Sequence, residues 1–276
     1  MIHVTLKDGS VKEFENGISV MEIVKGLGAG LYKAACACKV NGELCDLRTV
    51  LNEDCALEVL TFDSEEGRRA FNHTASHILA QAVKRLYPNA KLAIGPAIAD
   101  GFYYDIDVEP AFGPEELEKI EAEMKKIIKK GEKLERFTLP RQEAIAFMEE
   151  KGEPYKVELI RDLPEDAEIS FYSQGDFTDL CAGPHLMSTK GIKAFKLTSS
   201  SGAYWRGDSN RAMLQRIYGT AFNTKEELAE YLEYLDNIKK RDHNKLGRDM
   251  ELFATVDVIG QGLPLLMPCL LYTSPS

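Results

Sequence analysis

Several common signatures are absent from this sequence of 276 residues. Its longest apolar run, residues 263–272, is interrupted by Pro264 and Pro268. It falls short of the roughly 20 residues that a membrane-spanning helix needs, so no membrane is expected. The six cysteines include no CxxC pair, and the opening segment MIHVTLKDGS lacks the basic and apolar regions of a signal peptide. We therefore expect a cytoplasmic protein with reduced thiols.

A net positive charge is also absent. Lys and Arg total 34 against 44 Asp and Glu, which gives a net charge of −10 and disfavours a nonspecific nucleic-acid coat protein. Local basic segments remain at residues 68–69, 84–91 and 125–136. The balance of apolar and charged residues, 44% and 28%, is that of an ordinary globular protein.

Alternation and capping patterns predict an α+β fold. Near the N-terminus, IHVTL indicates a strand, DGS a turn and VKEF a returning strand, and Ser19 is placed to cap a short helix at VMEIVKGL. A helix that carries two histidines is predicted to end at Pro88. Periodicity predicts two further helices, over residues 114–135 and 225–247.

The two histidines of HTASH lack the glutamate of an HExxH metalloprotease motif, because Thr74 stands in its place. A zinc peptidase would then have no general base, so peptidase chemistry is disfavoured. Four residues turn an α-helix through roughly 400°, so His73 and His77 share one face, about 6 Å apart along the axis. Two imidazoles placed in this way can share a metal, a substrate or a water.

A second cluster of reactive residue types lies in CAGPH, residues 181–185. Gly183-Pro184 predicts a turn that returns His185 toward Cys181. Together the HxxxH and CxxxH motifs offer three imidazoles and one thiol. They would complete a tetrahedral zinc site, or they would position a water and relay its proton without a metal.

These motifs, in this order, resemble the N-terminal part of the bacterial threonyl-tRNA synthetases over nearly the whole chain. HxxxH followed by CxxxH is shared with the editing domain of alanyl-tRNA synthetases, whereas the order of a TGS unit, the editing motifs, a linker helix and RDHNKLG is specific to the threonyl family. The matching segments are HTASHILAQAVKRLYP, IGPAIADGFYYD, EPYKVELI, FTDLCAGPH, SGAYWRGD, MLQRIYGTAF and RDHNKLGRDMELF.

The resemblance implies a domain order. A TGS β-grasp domain covers residues 1–62, an editing domain 63–223, a helical linker 224–241 and the start of a class II synthetase core 242–276. After Pro268 the family pattern would continue with Lys-Gly, whereas this chain has CLLYTSPS. We therefore expect a chain that is truncated early in the catalytic core and lacks the ligase machinery.

The resemblance also implies a function. Full-length family members ligate threonine to tRNA(Thr) with ATP, and the editing domain hydrolyses tRNA(Thr) that is mischarged with serine. Serine is threonine without one methyl group, and a methyl-sized difference gives only about 1–3 kcal/mol of discrimination in one pocket. A second pocket, too tight for the threonine methyl, removes the error.

Seven site residues follow from the resemblance, six catalytic and one that forms the substrate wall. We expect His73 and Lys156 to orient waters at the ester carbonyl and at the ribose of the terminal adenosine, and Lys156 to stabilise oxyanion charge. The catalytic residues are His73, His77, Lys156, Asp179, Cys181 and His185, and the substrate-binding residue is Tyr104.

The resemblance further implies cofactors and partners. The alanyl-type relatives hold zinc with the set His73, His77, Cys181 and His185, whereas the threonyl enzymes use protein groups and water, and we expect metal-free editing here. ATP, Mg and zinc belong to the ligase core. The expected partner is tRNA(Thr), with its acceptor end in the editing pocket. We expect the full-length protein to be a homodimer and this chain a monomer.

Two alternative functions compete with this interpretation. One is a free-standing trans-editing deacylase, which the TGS unit and RDHNKLG disfavour. The other is a noncatalytic, TGS-containing RNA-binding regulator, which would have no need for four convergent acid–base groups. The only tryptophan, Trp205 beside Arg206, also has two interpretations: it stacks on an unpaired base, or it packs between subdomains.

Overall fold

The computed structural model describes residues 1–256, 260 and 263–273. The chain forms two compact units, residues 1–223 and residues 224–276. The predicted α+β class is confirmed, because both units mix helices with antiparallel pairs of strands.

The first part of unit 1 is a β-grasp fold. Its sheet has the order β2-β1-β7-β4-β5, with β1 and β7 parallel at the centre. The predicted cap of α1 is confirmed, since Ser19 and Glu22 form a reciprocal capping box. Val20, Ile23 and Val24 of α1 are buried in the core of this part. The elements are β1 Ile2–Leu6, β2 Val11–Phe14, β3 Ile18–Ser19, α1 Val20–Leu27, α2 Ala29–Ala34, β4 Ala35–Val40, β5 Glu43–Cys45, β6 Val50–Leu51 and β7 Cys55–Thr61.

The second part of unit 1 contains two antiparallel sheets. One has the order β14-β15-β10-β8, with β9 paired to β10, and the other has the order β11-β12-β13. The elements are α3 Glu65–Leu86, β8 Lys91–Leu92, β9 Ala97–Ile98, β10 Gly101–Asp107, α4 Pro114–Lys130, β11 Leu134–Thr138, α5 Arg141–Glu150, α6 Pro154–Asp162, β12 Ser170–Gln174, β13 Phe177–Leu180, β14 Ala194–Tyr204 and β15 Met213–Phe222.

Helix α3 is the central element of unit 1. Ser64 caps it by accepting a hydrogen bond from the Gly67 N–H. Its middle is enclosed on all sides, because small residues such as Ala75 and Ala80 let neighbouring elements approach closely. A helix that is buried all round carries its polar groups into the protein interior. Of the two histidines of α3, His77 is therefore buried inside the fold, while His73 remains partly exposed.

The prediction of one helix over residues 114–135 was wrong at its C-terminal end. Helix α4 stops at Lys130 because Gly131 adopts a left-handed conformation with φ 70° and donates its N–H to the carbonyls of Ile127 and Ile128. Glu135 lies on β11 and pairs with Ser173 of β12. The left-handed glycine is a common way to end a helix.

Unit 2 begins with α7, Lys225–Lys240, capped by Thr224. The prediction of a continuous helix to residue 247 was wrong, since Asp242 accepts the Lys245 N–H and starts a second helix. The further elements are α8 His243–Asp249, β16 Phe253–Thr255, β17 Pro264–Leu266 and α9 Pro268–Thr273. The prediction for residues 242–276 falls partly on residues outside the described ranges. Within those ranges, none of the helices combines the length and apolar character needed to cross a membrane.

Candidate active site

All seven residues predicted from the sequence lie in unit 1 and form one connected cluster. They come from separate elements of the second part of unit 1, so the tertiary fold and not local sequence brings them together. His73 and His77 lie on α3, Tyr104 on β10, Lys156 on α6 and Asp179 on β13, and Cys181 and His185 lie in the segment that follows β13.

The thiol of Cys181 is the centre of one half of the cluster. Its Sγ lies 3.3 Å from Nε2 of His73 and 3.2 Å from Nε2 of His185. The Gly183 N–H donates to the same sulfur at 3.2 Å. The ring of His77 completes this half, with its centroid 4.1 Å from that of His185. Three imidazoles and one thiol therefore converge, as the two motifs predict.

The hydrogen bonds of Thr74 define the tautomer of His185. The Thr74 hydroxyl donates its proton to the Ala70 carbonyl at 2.9 Å and accepts the Leu186 N–H at 2.9 Å. Its contact with Nδ1 of His185 at 3.2 Å must therefore be donated by the ring. His185 is protonated at Nδ1, and the lone pair of its Nε2 faces Cys181. Thr74, which stands where an HExxH motif has its glutamate, therefore orients the ring of His185.

A buried ion pair forms the other half of the cluster. Nζ of Lys156 lies 2.7 Å from Oδ1 of Asp179, and both side chains are only 4% exposed. The Tyr104 hydroxyl donates to Oδ2 of Asp179 and accepts a hydrogen bond from Lys156 at 3.0 Å. His77 links the halves, since its Nε2 is 3.8 Å from Oδ2 of Asp179. Tyr104, the predicted substrate wall, is fully buried.

Burial controls the protonation of the site. It lowers the pKa of His73 to about 4 and that of His77 to about 3, although the negative charge of Asp179 opposes both shifts. It also lowers the pKa of His185 well below the ordinary value and raises the pKa of the Cys181 thiol to about 12. Burial disfavours the charged form of Asp179 as well, but Lys156, His77 and Tyr104 outweigh it and keep the pKa of this carboxyl low. At neutral pH the imidazoles and the thiol are thus uncharged.

The four groups of the two motifs fit a zinc ion in kind and in approximate spacing. Their donor atoms all lie within 4.8 Å of one another. Zinc bonds of about 2.0–2.3 Å place tetrahedral donors roughly 3.3–3.7 Å apart, so only the wider pairs would need to contract. Nδ1 of His77 is buried and has no hydrogen-bond partner among the described residues, which leaves it open to a ligand. A bound ion would require the Cys181 thiol to lose its proton.

Sequence reasoning missed three residues that support the CAGPH segment. Asp46 and Arg48 belong to the β-grasp part, between β5 and β6, and contact the backbone of His185. Tyr172 of β12 packs its ring against that of His185 and donates its hydroxyl proton to Asp46 at 2.8 Å. No periodicity or motif signals these contacts, because Asp46 and His185 are 139 residues apart in the chain.

Trp205 is buried and does not present a stacking surface, which leaves packing as the interpretation that the structure supports. It is 3% exposed, its ring packs on Tyr155 at 5.1 Å, and its Nε1 donates to Glu158. The guanidinium of Arg206 covers one side of the indole, 5.4 Å from the ring centroid.

Two family models match the chain. The TGS domain matches residues 2–61. The second additional domain of threonyl and alanyl tRNA synthetases matches residues 169–218, a range that contains Asp179, Cys181 and His185.

Curated relatives cover nearly the whole chain. Threonine--tRNA ligases of Clostridium botulinum strain Alaska E43 and of Acetivibrio thermocellus are both 63% identical to it over 268 residues, or 97% of the chain. That of Clostridium perfringens strain SM101 is 60% identical over the same length. The chain spans about two fifths of the length of these relatives, 41%, 42% and 41%. Over nearly its whole length the chain is therefore similar to the N-terminal region of threonine--tRNA ligases, and it carries a match to the TGS domain followed by a match to the second additional domain of threonyl and alanyl tRNA synthetases.

Proposed function

We propose that this chain hydrolyses the ester of tRNA(Thr) mischarged with serine and that the whole protein ligates threonine to the same tRNA with ATP. The observation that carries the proposal is the convergence of three neutral imidazoles, one neutral thiol and a buried Lys156–Asp179 pair. A noncatalytic module has no use for such a set of polar groups. Apolar residues of similar volume would give the folded protein equal or greater stability. We assign the TGS domain to residues 1–62 and the editing domain to residues 63–223.

In the proposed mechanism, His73 orients the attacking water. Its imidazole is neutral at pH 7, so a ring nitrogen can accept a proton from water as the water attacks the ester carbonyl. His73 also retains partial exposure within the cluster, so water and substrate can reach it. His77 and His185, which are buried, pack against each other and against the ring of His73.

Lys156 supplies positive charge to the reaction. Its ammonium group is held by Asp179 and by the Tyr104 hydroxyl, in a buried setting where a fixed charge acts strongly on developing oxyanion charge. We assign to it, with a second water, the contact to the ribose of the terminal adenosine. Asp179 and Tyr104 are positioning groups in this scheme.

Cys181 does not act as a nucleophile in this mechanism. A thiolate is the reactive form of cysteine, and the raised pKa of about 12 keeps this thiol protonated at neutral pH. Water adds to the ester carbonyl, the bond between the carbonyl carbon and the ribose oxygen then breaks, and the ribose oxygen leaves with the proton that His73 took from the water, so no thioester forms. Cys181 instead links His73 and His185 through its sulfur.

Zinc is not required by these steps, although His73, His77, Cys181 and His185 would hold it and it would supply a Lewis acid and an acidic bound water. We propose metal-free editing. Stoichiometric zinc in purified protein that disappears in Cys181→Ser would contradict this. ATP, Mg and zinc serve the ligase core of the whole protein, which we propose is a cytoplasmic homodimer, whereas this chain alone is a monomer.

The test is single-turnover deacylation of Ser-tRNA(Thr) by the chain and three variants. His73→Gln should slow hydrolysis roughly 10²- to 10⁴-fold, the usual contribution of one acid–base group. Cys181→Ala should keep measurable activity, because no thioester forms. The control His3→Gln changes a half-exposed histidine of the β-grasp part and should match the wild type. Equal rates for His73→Gln and wild type would contradict the mechanism, and no hydrolysis by the wild type would contradict the function.

A further inference from the structure

The loop between β5 and β6 of the β-grasp part contacts the CAGPH segment through a buried acid. The Asp46 carboxylate accepts hydrogen bonds from four groups at once: the Tyr172 hydroxyl at 2.8 Å, the backbone N–H of His185 at 3.3 Å, the backbone N–H of Arg48 at 2.8 Å and the Arg48 guanidinium at 2.8 and 3.0 Å. Its side chain is only 8% exposed. A buried carboxylate with several donors is held in one orientation, and it holds its donors in turn.

Arg48 of the same loop also contacts this segment and its neighbours. Its guanidinium donates to the carbonyl of Leu134 on β11, to that of His185 at 3.4 Å and to that of Leu186 at 3.0 Å. With the Asp46 pair, its donors are directed to four different acceptor groups. A planar fork can serve several fixed acceptors in this way, whereas a lysine ammonium presents one point charge.

Both backbone polar groups of His185 are thus bound by the β-grasp part. Asp46 accepts its N–H and Arg48 donates to its carbonyl, while Thr74 of α3 accepts the ring Nδ1–H. These three anchors leave the ring one direction, in which Nε2 lies 3.2 Å from Cys181 Sγ. The position of a catalytic-cluster imidazole therefore depends on residues far outside the editing motifs.

We propose that Asp46 and Arg48 are positioning residues of the editing site, so that the β-grasp part sets the geometry of His185. This inference rests on the proposed hydrolysis. A positioning role and a packing role for Asp46 and Arg48 can be distinguished by measurement. Residues that only pack between the two parts affect stability alone, whereas positioning residues change turnover in protein that is fully folded.

The test compares near-isosteric variants with a matched control. Asp46→Asn, Arg48→Lys and the milder Tyr172→Phe each weaken the contacts to the CAGPH segment. Lys39→Ala removes a different ion pair between the β-grasp part and α3, Lys39 with Glu66 at 2.6 Å, without touching that segment. Circular dichroism and melting temperature identify which variants are folded at the assay temperature, and only those are compared.

Two measurements are made on the folded variants. Asp46→Asn and Arg48→Lys should lower kcat for Ser-tRNA(Thr) about ten-fold with KM changed less than about two-fold, because hydrogen bonds to charged groups are lost while tRNA contacts remain. Tyr172→Phe should lower kcat less, and Lys39→Ala should leave it unchanged. In ¹⁵N-histidine spectra, the ring resonances of His185 should shift in the first two variants and not in Lys39→Ala.

The outcomes separate this inference from the proposed function. If the wild type hydrolyses Ser-tRNA(Thr), only a joint change of kcat and of the His185 resonances supports positioning. A change in one without the other, or in neither, overturns it. If the wild type does not hydrolyse the ester, the proposed function fails, and the resonances alone decide whether Asp46 and Arg48 orient His185.

Discussion

At the scale of single residues, the polar bonds of the site are more informative than its reactive groups. Thr74 satisfies three partners with one hydroxyl, which accepts from His185 and Leu186 and donates to Ala70. The site is buried, so each of these bonds replaces one that water would otherwise provide. Small changes at Thr74 should therefore have large effects.

Thr74→Val keeps the shape of the side chain and removes its hydroxyl. The His185 Nδ1–H and the Leu186 N–H then lose their acceptor in a buried position, so the free energy of unfolding should fall by about 1–3 kcal/mol. Thr74→Ser keeps the hydroxyl and should lose less. Urea unfolding of the three proteins measures both effects, and a Val variant as stable as the wild type would contradict the hydrogen bonds assigned to the Thr74 hydroxyl.

The depressed pKa values of the histidines predict a pH dependence of stability. The pKa of His77 is about 3 in the folded protein against an ordinary 6.5, so between these values the unfolded chain binds more protons. The stabilising contribution of the neutral ring is complete above pH 6.5 and is lost as pH falls, by up to about 1.4 kcal/mol per pH unit.

The dependence of the free energy of unfolding on pH, compared between the wild type and a His77 variant, separates the contribution of His77 from that of the carboxyl groups. In chelator-treated protein, His77→Asn should lose stability less steeply than the wild type between pH 6.5 and 4.5, as measured by urea unfolding at several pH values. Equal slopes for the two proteins would mean that His77 is not held neutral by burial.

Sequence reasoning identified the reactive residues of the site but not the residues that hold them. Helical geometry predicted that His73 and His77 share a face, and their ring centroids lie 5.3 Å apart. The Gly183-Pro184 turn predicted the return of His185 to Cys181. Asp46 and Arg48 could not be predicted, because contacts between distant segments leave no periodicity in one sequence. The roles of the seven residues, six catalytic and one in the substrate wall, remain predictions.

At the scale of elements, local signals placed the starts of helices better than their ends. Ser19 and Thr224 cap α1 and α7 as their sequence patterns indicate. The end of α4 was misplaced because charged residues continue past Gly131 into β11, and a helical charge pattern does not reveal one glycine in a left-handed conformation. Asp242 likewise interrupts a pattern that would otherwise continue.

Gly131→Ala tests the role of this glycine. A side chain at φ 70° is strained, although the added Cβ would meet only the Lys190 side chain at an ordinary 3.5 Å. The free energy of unfolding should therefore fall by about 1 kcal/mol through backbone strain alone. The control Gly30→Ala lies within α2 with open space around its Cβ, and it should be neutral or stabilising. A Gly131 variant at least as stable as the wild type would contradict the assigned helix end.

At the scale of the whole molecule, the β-grasp and editing parts form one compact unit. Arg48 and Asp46 of the first part form hydrogen bonds with Leu134, Tyr172 and His185 of the second part. The two parts that meet near residue 62 are therefore not structurally independent. The order of the two parts was implied by the family resemblance. The sequence did not predict that one part would support the other.

The most direct measurement is the ratio of the deacylation rates of Ser-tRNA(Thr) and Thr-tRNA(Thr) by this chain, under single-turnover conditions at neutral pH. A pocket that excludes one methyl group should favour the serine ester by about 10- to 200-fold. His73→Gln should slow the serine reaction roughly 10²- to 10⁴-fold. A ratio near one, or no hydrolysis of either ester by protein that binds the tRNA, would contradict the proposal that this site removes serine.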